Sequence, residues 1–584
     1  MDPLEQQPRP QAYWPRRLLH IPTMRSVERS EGNRYGPTGE ASGKVVEPPF
    51  ATLCYTWGRY RSFADEGSDI AISSLPPSWR IPSVDPRHFT TDALRQVIQT
   101  ISRDVGVDYM WIDIACVNTD WDPDVDFEEE VYMQQYIFMT ASWSFIWLSE
   151  TASYYVSEVA KNIQDIIVDP ASSHMKALRT TSSLSAIFAD PWLSGMWTLL
   201  EGARRLDAII ISSDGHSSVL CDQASTWRDK EWSKPTEVMF EEHDSINLQK
   251  TSMSSLSSSD STPPLATRLL SLRDIIYVTR VALSSSPPCM PSEAFERAVI
   301  NSGLVSFEPF SLLSLYDTAQ RRISDNPSFR WRYINDQIFG FPRISMSVSG
   351  AEIEKQFATN LLLYDPVLSQ LFMRQSTADT GRAWYLTTNC KPLPMDFFAK
   401  HFDSFRYLFR IRTSPGAQAT ATTVYFEGPT KLSRDLKSGW LHSPSTSGLL
   451  ALSFDHCMLQ VADSIREIPS TILFPTGIEQ GYVVSKSTMR RHFLQFLELS
   501  GDLETRVLAM ATGSRADRAS GLVIGLIIAR QKAGSLQDHW KRVGVCVWSA
   551  EFEEINNIKQ TYMRVPGTEP QDGSWEVLSG LRAG

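Results

Sequence analysis

The sequence predicts an α/β fold: a doubly wound parallel sheet in the N-terminal part, followed by a mixed α+β region. Two observations carry this. Between residues 50 and 212, short apolar runs bounded by turn residues alternate with helical stripes, and strands that alternate with helices build parallel sheets covered on both faces. The chain of 584 residues is also too long for one core, since single cores stop growing at roughly 250–300 residues, so two to three domains are expected.

Residues 1–49 are rich in Pro, Gly, Arg and Glu and read as a partly ordered leader with a short strand at Arg17–Ile21. Phe50–Trp57, between Pro48-Pro49 and Gly58, reads as a buried strand. Asp92 is placed to cap a helix whose Leu94, Val97, Ile98, Ile101 and Val105 form an i, i+3, i+4, i+7 stripe ending at Gly106. A strand is expected over Val107–Ala115. Next comes a helix with Glu128–Glu130 in its first turn, where the dipole favours acids, running to about Ala141. Trp143–Leu148 is the third strand. Helices follow at about 153–168 and 175–188, and another begins near Ser194; Leu206–Ser212 is the fourth strand.

Domain boundaries are accordingly set at 50–215 for the α/β domain and 216–264 for a linker ending in a Ser/Pro-rich stretch. A mostly helical region is expected over 265–375 and a β-rich α+β region over 376–584. The latter ends in a predicted antiparallel pair, Leu522–Ala529 with Arg542–Trp548.

Composition excludes several functions. Apolar content of 42% and charged content of 21% are those of a globular chain. With 56 Lys+Arg against 67 Asp+Glu the net charge is −11, which repels phosphate backbones and anionic membranes, so nucleic acid is not expected as a partner. The seven cysteines are scattered and never in C-x-x-C spacing; they suggest neither a disulfide framework nor a zinc site, and fit a reducing, cytoplasmic setting. No secretory signal opens the sequence, and the longest apolar run, Gly521–Ala529, falls well short of the roughly 20 residues of a spanning helix. Asp120, Asp122, Asp124 and Asp126 alternate like a calcium loop, but Pro123, Val125 and Val131 break the pattern. Gly39–Val45 is one residue short of a P-loop. No metal site is expected.

Three ordered blocks remain: Cys54-Tyr55-Thr56-Trp57-Gly58, Trp111-Ile112-Asp113-Ile114-Ala115-Cys116-Val117-Asn118, and Trp197-Thr198-Leu199-Leu200-Glu201. The first two end predicted strands, where ligands of open α/β sheets bind. In the third, i, i+4 spacing puts Trp197 and Glu201 on one helix face. Ordinary structure explains each block as well: Trp57 and Trp111 as core rings, Asp113 as a turn cap, Glu201 as a surface partner of Arg204 or Arg205.

In this order the blocks resemble the fungal heterokaryon-incompatibility (HET) domain, whose blocks read roughly L-S-Y-x-W-G, W-I-D-x-x-C-I-N-Q and W-T-x-Q-E. Departures are Thr119 and Leu200 where Gln is usual and Gly195 where Arg is common. Leu53-Cys54-Tyr55 and the Trp197-to-Glu201 spacing also resemble Toll/interleukin-receptor (TIR) domains, with residues 151–190 as an insertion. These resemblances imply a flavodoxin- or TIR-like sheet and a role in non-self recognition and programmed cell death. They further imply NAD as a substrate rather than a cofactor, with Glu201 and Asp113 as catalytic residues and Tyr55, Trp57, Gly58, Trp111, Asn118 and Trp197 shaping the pocket. Cleaving the nicotinamide–ribose bond expels a neutral base, so one carboxylate beside the ribosyl cation suffices. The alternative is a non-catalytic module that self-associates or binds another protein of the incompatibility response.

Overall fold

The computed structural model describes residues 14–29, 40–41, 44–45, 47–56, 70–77, 79, 81, 83–118, 125–168, 180–221, 267–283, 293–304, 312–322, 327–341, 344, 350–365, 367–374, 384–387, 390–392, 404–407, 410–415, 422–432, 449–454, 503–514, 520–531, 540–563 and 576–582. Trp57 and Gly58, the acidic residues 120–124 and the Ser/Pro-rich stretch 252–264 lie outside them. The chain divides into two compact units, the first built mainly from residues 1–310 and the second mainly from 341–584.

The first unit is a mixed α/β structure around a six-stranded sheet. Its strands are β1 (Arg17–His20), β2 (Arg25–Glu28), β3 (Phe50–Cys54), β4 (Tyr109–Trp111), β5 (Trp143–Trp147) and β6 (Ile209–Ile211), in the order β2-β1-β4-β3-β5-β6. The four strands expected to be parallel are so: Phe50 lies opposite Tyr109, Cys54 opposite Ile146 and Trp147 opposite Ile211. The expectation of a purely parallel sheet is corrected by β1 and β2. They form an antiparallel hairpin whose Leu19 pairs with Met110, so the sheet is mixed. The reason lies in sequence-distant pairing: β4 leaves an open edge, and the hairpin supplies the partners that its backbone groups require. Arg17 fastens the hairpin by donating to Ser26 Oγ, Glu28 and the Ser74 carbonyl.

Helix α1 (Thr91–Val105) buries Leu94, Val97, Ile98 and Ile101 as its stripe requires, while Val105 is half-buried. Thr90, not Asp92, is its N-cap, accepting from the Ala93 N–H at 3.2 Å, and Gly106 closes it at φ +67°. The expected strand over Val107–Ala115 ends at Trp111. There the Ile114 N–H turns onto Asp113 Oδ1 and the Val117 N–H onto the Asp113 carbonyl, making the short helix α2 (Asp113–Cys116). Helices α3 (Val125–Thr140), α4 (Ser153–Val168), α5 (Thr181–Ala189) and α7 (Trp197–Arg204) follow in the predicted succession, and a short helix that was not expected, α6 (Pro191–Ser194), stands between the last two.

Two short strands, β7 (Val219–Cys221) and β8 (Thr267–Leu269), pair antiparallel. Beyond them the backbone runs along the sheet edge, with the Ile210 N–H on the Leu270 carbonyl and the Leu272 N–H on Ala208. Helices α8 (Leu272–Leu283) and α9 (Glu293–Ser302) follow, and the unit also takes in Arg321, Arg322 and residues 336–340. No helix among the described residues is long and apolar enough to cross a membrane.

The second unit carries helices Pro327–Tyr333 and Gly350–Tyr364 and an antiparallel sheet. In that sheet Arg410–Pro415, Thr422–Leu432, Leu503–Ser514, Ser520–Gln531, Lys541–Glu551 and Leu449–Phe454 are neighbours in this order. The predicted pair is present, with Leu526 opposite Val545. Buried Arg542 donates to the carbonyls of Gln370 and Phe372 and lies over the Phe372 ring at 3.8 Å.

Packing leaves α7 no slack against α6 and α8. A Cβ on Gly202 would stand 2.9 Å from the Trp192 ring and 3.1 Å from Leu272, and Trp192 is fully buried. Gly202→Ala is expected to lower the unfolding free energy by about 1–3 kcal/mol, read from denaturant unfolding; an unchanged midpoint would show that the contact relaxes freely.

Candidate functional site

Strand β3 is buried at every residue, and what leaves its carboxyl end organises polar networks on its two faces. Successive side chains of an extended segment point to opposite faces, so Cys54 and Tyr55 diverge.

On one face, Cys54 meets Glu201. The thiol donates to Glu201 Oε2, the Gln134 amide donates to Oε1 at 2.7 Å, and the Trp192 indole N–H donates to Cys54 Sγ at 2.8 Å. Helix α3 supplies Gln134, α6 supplies Trp192 and α7 supplies Glu201. The glutamate is only 6% exposed, and burial pushes its carboxyl well above the usual carboxylate range. The corner between α6 and α7 is fixed from downstream: Arg322, 1% exposed, donates to the carbonyls of Gly195 and Ser302 and to Thr198 Oγ1, and lies over the Trp192 ring. Guanidinium at the carbonyl ends of α6 and α9 is favoured by both hydrogen bonding and helix polarity.

On the other face, Tyr55 donates to Asp113 Oδ1 at 2.8 Å. Burial first, then the Asp113 charge, push the Tyr55 phenol well above its ordinary value, so it stays a donor. Its ring meets Phe89 and Trp147. The Trp147 indole N–H is buried with no acceptor among the described residues, a cost of about 1–3 kcal/mol for a donor left dry.

Beside this pair stands His88, in the loop before α1. Its Nε2 is 2.7 Å from the Thr56 carbonyl and 3.2 Å from Ser149 Oγ, and its Nδ1 is 3.2 Å from Glu150 Oε1. The order Ser149, His88, Glu150 has the look of a nucleophile relay, but the Thr56 carbonyl demands a proton on Nε2, which removes the lone pair that a base for Ser149 would need. Asp190 sets the backbone here, accepting from the N–H groups of Glu150 and Trp192 and from Thr151 Oγ1. Its carboxyl is pushed up to about 6 by burial.

Tyr55, Thr56, Asp113, Ser149 and Glu150 therefore gather at the carboxyl ends of β3, β4 and β5. Among the parallel strands, chain order reverses at β3, with β4 on one side and β5 on the other, and a crevice at such a reversal is where α/β sheets take ligands. Of the residues expected in the pocket, Tyr55 and Asp113 are brought together. Glu201 sits with Cys54, on the face opposite Tyr55. Trp111 is buried with its ring edge-on to Phe138, Asn118 is buried, and Trp197 is half-buried at the start of α7. His88, Glu150, Asp190 and Gln134 are additions that the ordered blocks do not contain. Among the described residues, no group of three or more His, Cys, Asp or Glu is placed to hold a metal ion.

The family model described as heterokaryon incompatibility protein (HET) matches residues 50–201, the stretch that opens with β3 and closes on Glu201. These residues form a HET domain. No curated protein and no solved structure matches the chain. The three blocks of the HET domain thus serve different ends here: the first supplies both faces of β3, the second the Asp113 turn, and the third the buried glutamate.

Protonation gives this site a pH signature. Glu201 and Asp190 hold their protons more tightly folded than unfolded, so their contribution is complete below the unfolded values of 4.5 and 3.8. It is lost as pH rises through the folded values. For Asp190, from 3.8 to about 6, that is about 3 kcal/mol. Glu201→Gln abolishes the first transition, so its stability relative to wild type is expected to rise from about pH 4 to pH 8 in denaturant unfolding. Parallel curves would mean that Glu201 titrates alike in the folded and unfolded chain.

Proposed function

We propose that this chain acts in fungal heterokaryon incompatibility, as a cytoplasmic protein of non-self recognition and programmed cell death, and that its HET domain binds a ribonucleotide, NAD, at the carboxyl edge of the sheet. The observation that carries the reading is the convergence of Tyr55–Asp113 and Thr56–His88–Glu150 on the strand reversal at β3. The strand order β4-β3-β5-β6 also supports a flavodoxin- or TIR-like, doubly wound arrangement for the domain. In this reading Asp113 accepts from ribose hydroxyls and Tyr55 fixes its rotamer.

A second reading, NAD cleavage, is favoured by the Trp197-to-Glu201 spacing on α7. The C1′–N bond would break with its electron pair leaving on nicotinamide, and water would add hydroxide to C1′ and release a proton, giving ADP-ribose. Glu201 would serve there as the carboxylate that stabilises the ribosyl cation. That role needs an ionised, accessible side chain, so it requires a conformer freed from Cys54 and Gln134, such as one produced by self-association.

One experiment separates the readings: NAD binding by calorimetry and nicotinamide release by chromatography, on the full chain at several protein concentrations, with Asp113→Ala and Glu201→Gln beside it. Binding that Asp113→Ala weakens by about tenfold or more, without nicotinamide release, is the expected result. Release that disappears in Glu201→Gln would establish cleavage. Absence of binding at every concentration would leave a non-catalytic module that works by association with itself or a partner protein.

A further inference from the structure

Resting on the ribonucleotide reading of the HET domain, we infer that Glu150 is a second ribose-binding carboxylate of the crevice and that His88 is the residue that positions it.

The first ground is place. Glu150 stands beyond the carboxyl end of β5, and Tyr55 and Thr56 stand beyond that of β3, the two parallel neighbours that share one side of the strand reversal. Asp113 borders Tyr55 on the β4 side. The two carboxylates thus flank the exit of β3 from opposite sides, and a nucleotide lying across that exit meets both.

The second ground is preparation. The Glu150 backbone is fixed by its own N–H on buried Asp190 at 3.0 Å. Its side chain is fixed by His88 Nδ1 on Oε1 at 3.2 Å, and that ring is itself 99% enclosed and anchored on the Thr56 carbonyl. The imidazole thereby ties the end of β5 to the end of β3 and holds one carboxylate oxygen in place. Oε2 has no partner among the described residues, and the side chain is 46% exposed. Glu201 is the opposite case: both of its oxygens are occupied, by Cys54 and Gln134, and it is enclosed.

The third ground is chemistry. A preset carboxylate oxygen open to solvent is an acceptor, and the adjacent hydroxyls of a ribose are paired donors; acidic side chains at strand ends of α/β sheets bind ribose in this way.

The test is NAD affinity of the full chain, with Glu150→Gln, Glu150→Asp and His88→Gln compared at matched thermal midpoints. Glu150→Gln keeps the size of the side chain and removes its charge, and a loss of about tenfold or more in affinity is expected. Glu150→Asp retains the charge but withdraws it from His88, so it should recover only part of that loss. His88→Gln should weaken binding less than Glu150→Gln and should add little to it in the double variant, as a residue acting through Glu150 must. A wild-type chain that binds NAD while Glu150→Gln binds equally well overturns the inference alone. A wild-type chain that does not bind NAD overturns the reading on which it rests, and the inference with it.

Discussion

Strand β3 is the constraint around which the first unit is arranged. It is dry along its whole length, so its backbone must find partners on both sides, and β4 and β5 supply them in parallel. The same extended geometry sends Cys54 and Tyr55 to opposite faces. That divergence keeps two acidic centres apart that a linear reading would merge: Glu201, enclosed, its carboxyl pushed up by burial, and Asp113, held by a phenol at the sheet's edge. The HET domain thus has an inner carboxyl that belongs to packing in this conformation and outer carboxylates at the carboxyl edge of the sheet.

Much of the fold was legible because its signals are local. The α1 stripe and the apolar runs of β3 and β5 each declare themselves within about a dozen residues, and the antiparallel pair of Ser520–Gln531 with Lys541–Glu551 is nearly as local. What was not legible depends on a competitor or on distance. The run after Val107 is apolar enough to continue as a strand, but the Asp113 carboxylate captures the next N–H and turns the chain into α2. The N-terminal hairpin joins the sheet through β4, about ninety residues further along, and nothing within the hairpin announces that edge.

The site divides in the same way. Tyr55, Asp113 and Glu201 stand in blocks whose order is informative, whereas His88 and Glu150 are single polar residues in loops, 62 positions apart, that meet only after folding. A usable signal did exist for Glu150: an acid directly following an apolar parallel strand, at the end where such sheets bind ligands. Gln134 had none, being one amide on a helix with no polar pattern to single it out.

Beyond the residues that define the family, the β7–β8 pair has its own bearing on how such a chain can change. The backbone departs after Cys221 and re-enters at Thr267 one strand spacing away, in register with where it left. Closing a loop between fixed, adjacent ends costs an entropy that grows only with the logarithm of its length, about 0.6 kcal/mol per doubling. The chain thus leaves and re-enters the domain at a doorway whose frame is set by six paired residues, and a change in length between Cys221 and Thr267 that left this frame intact would alter the closure cost only by that logarithm.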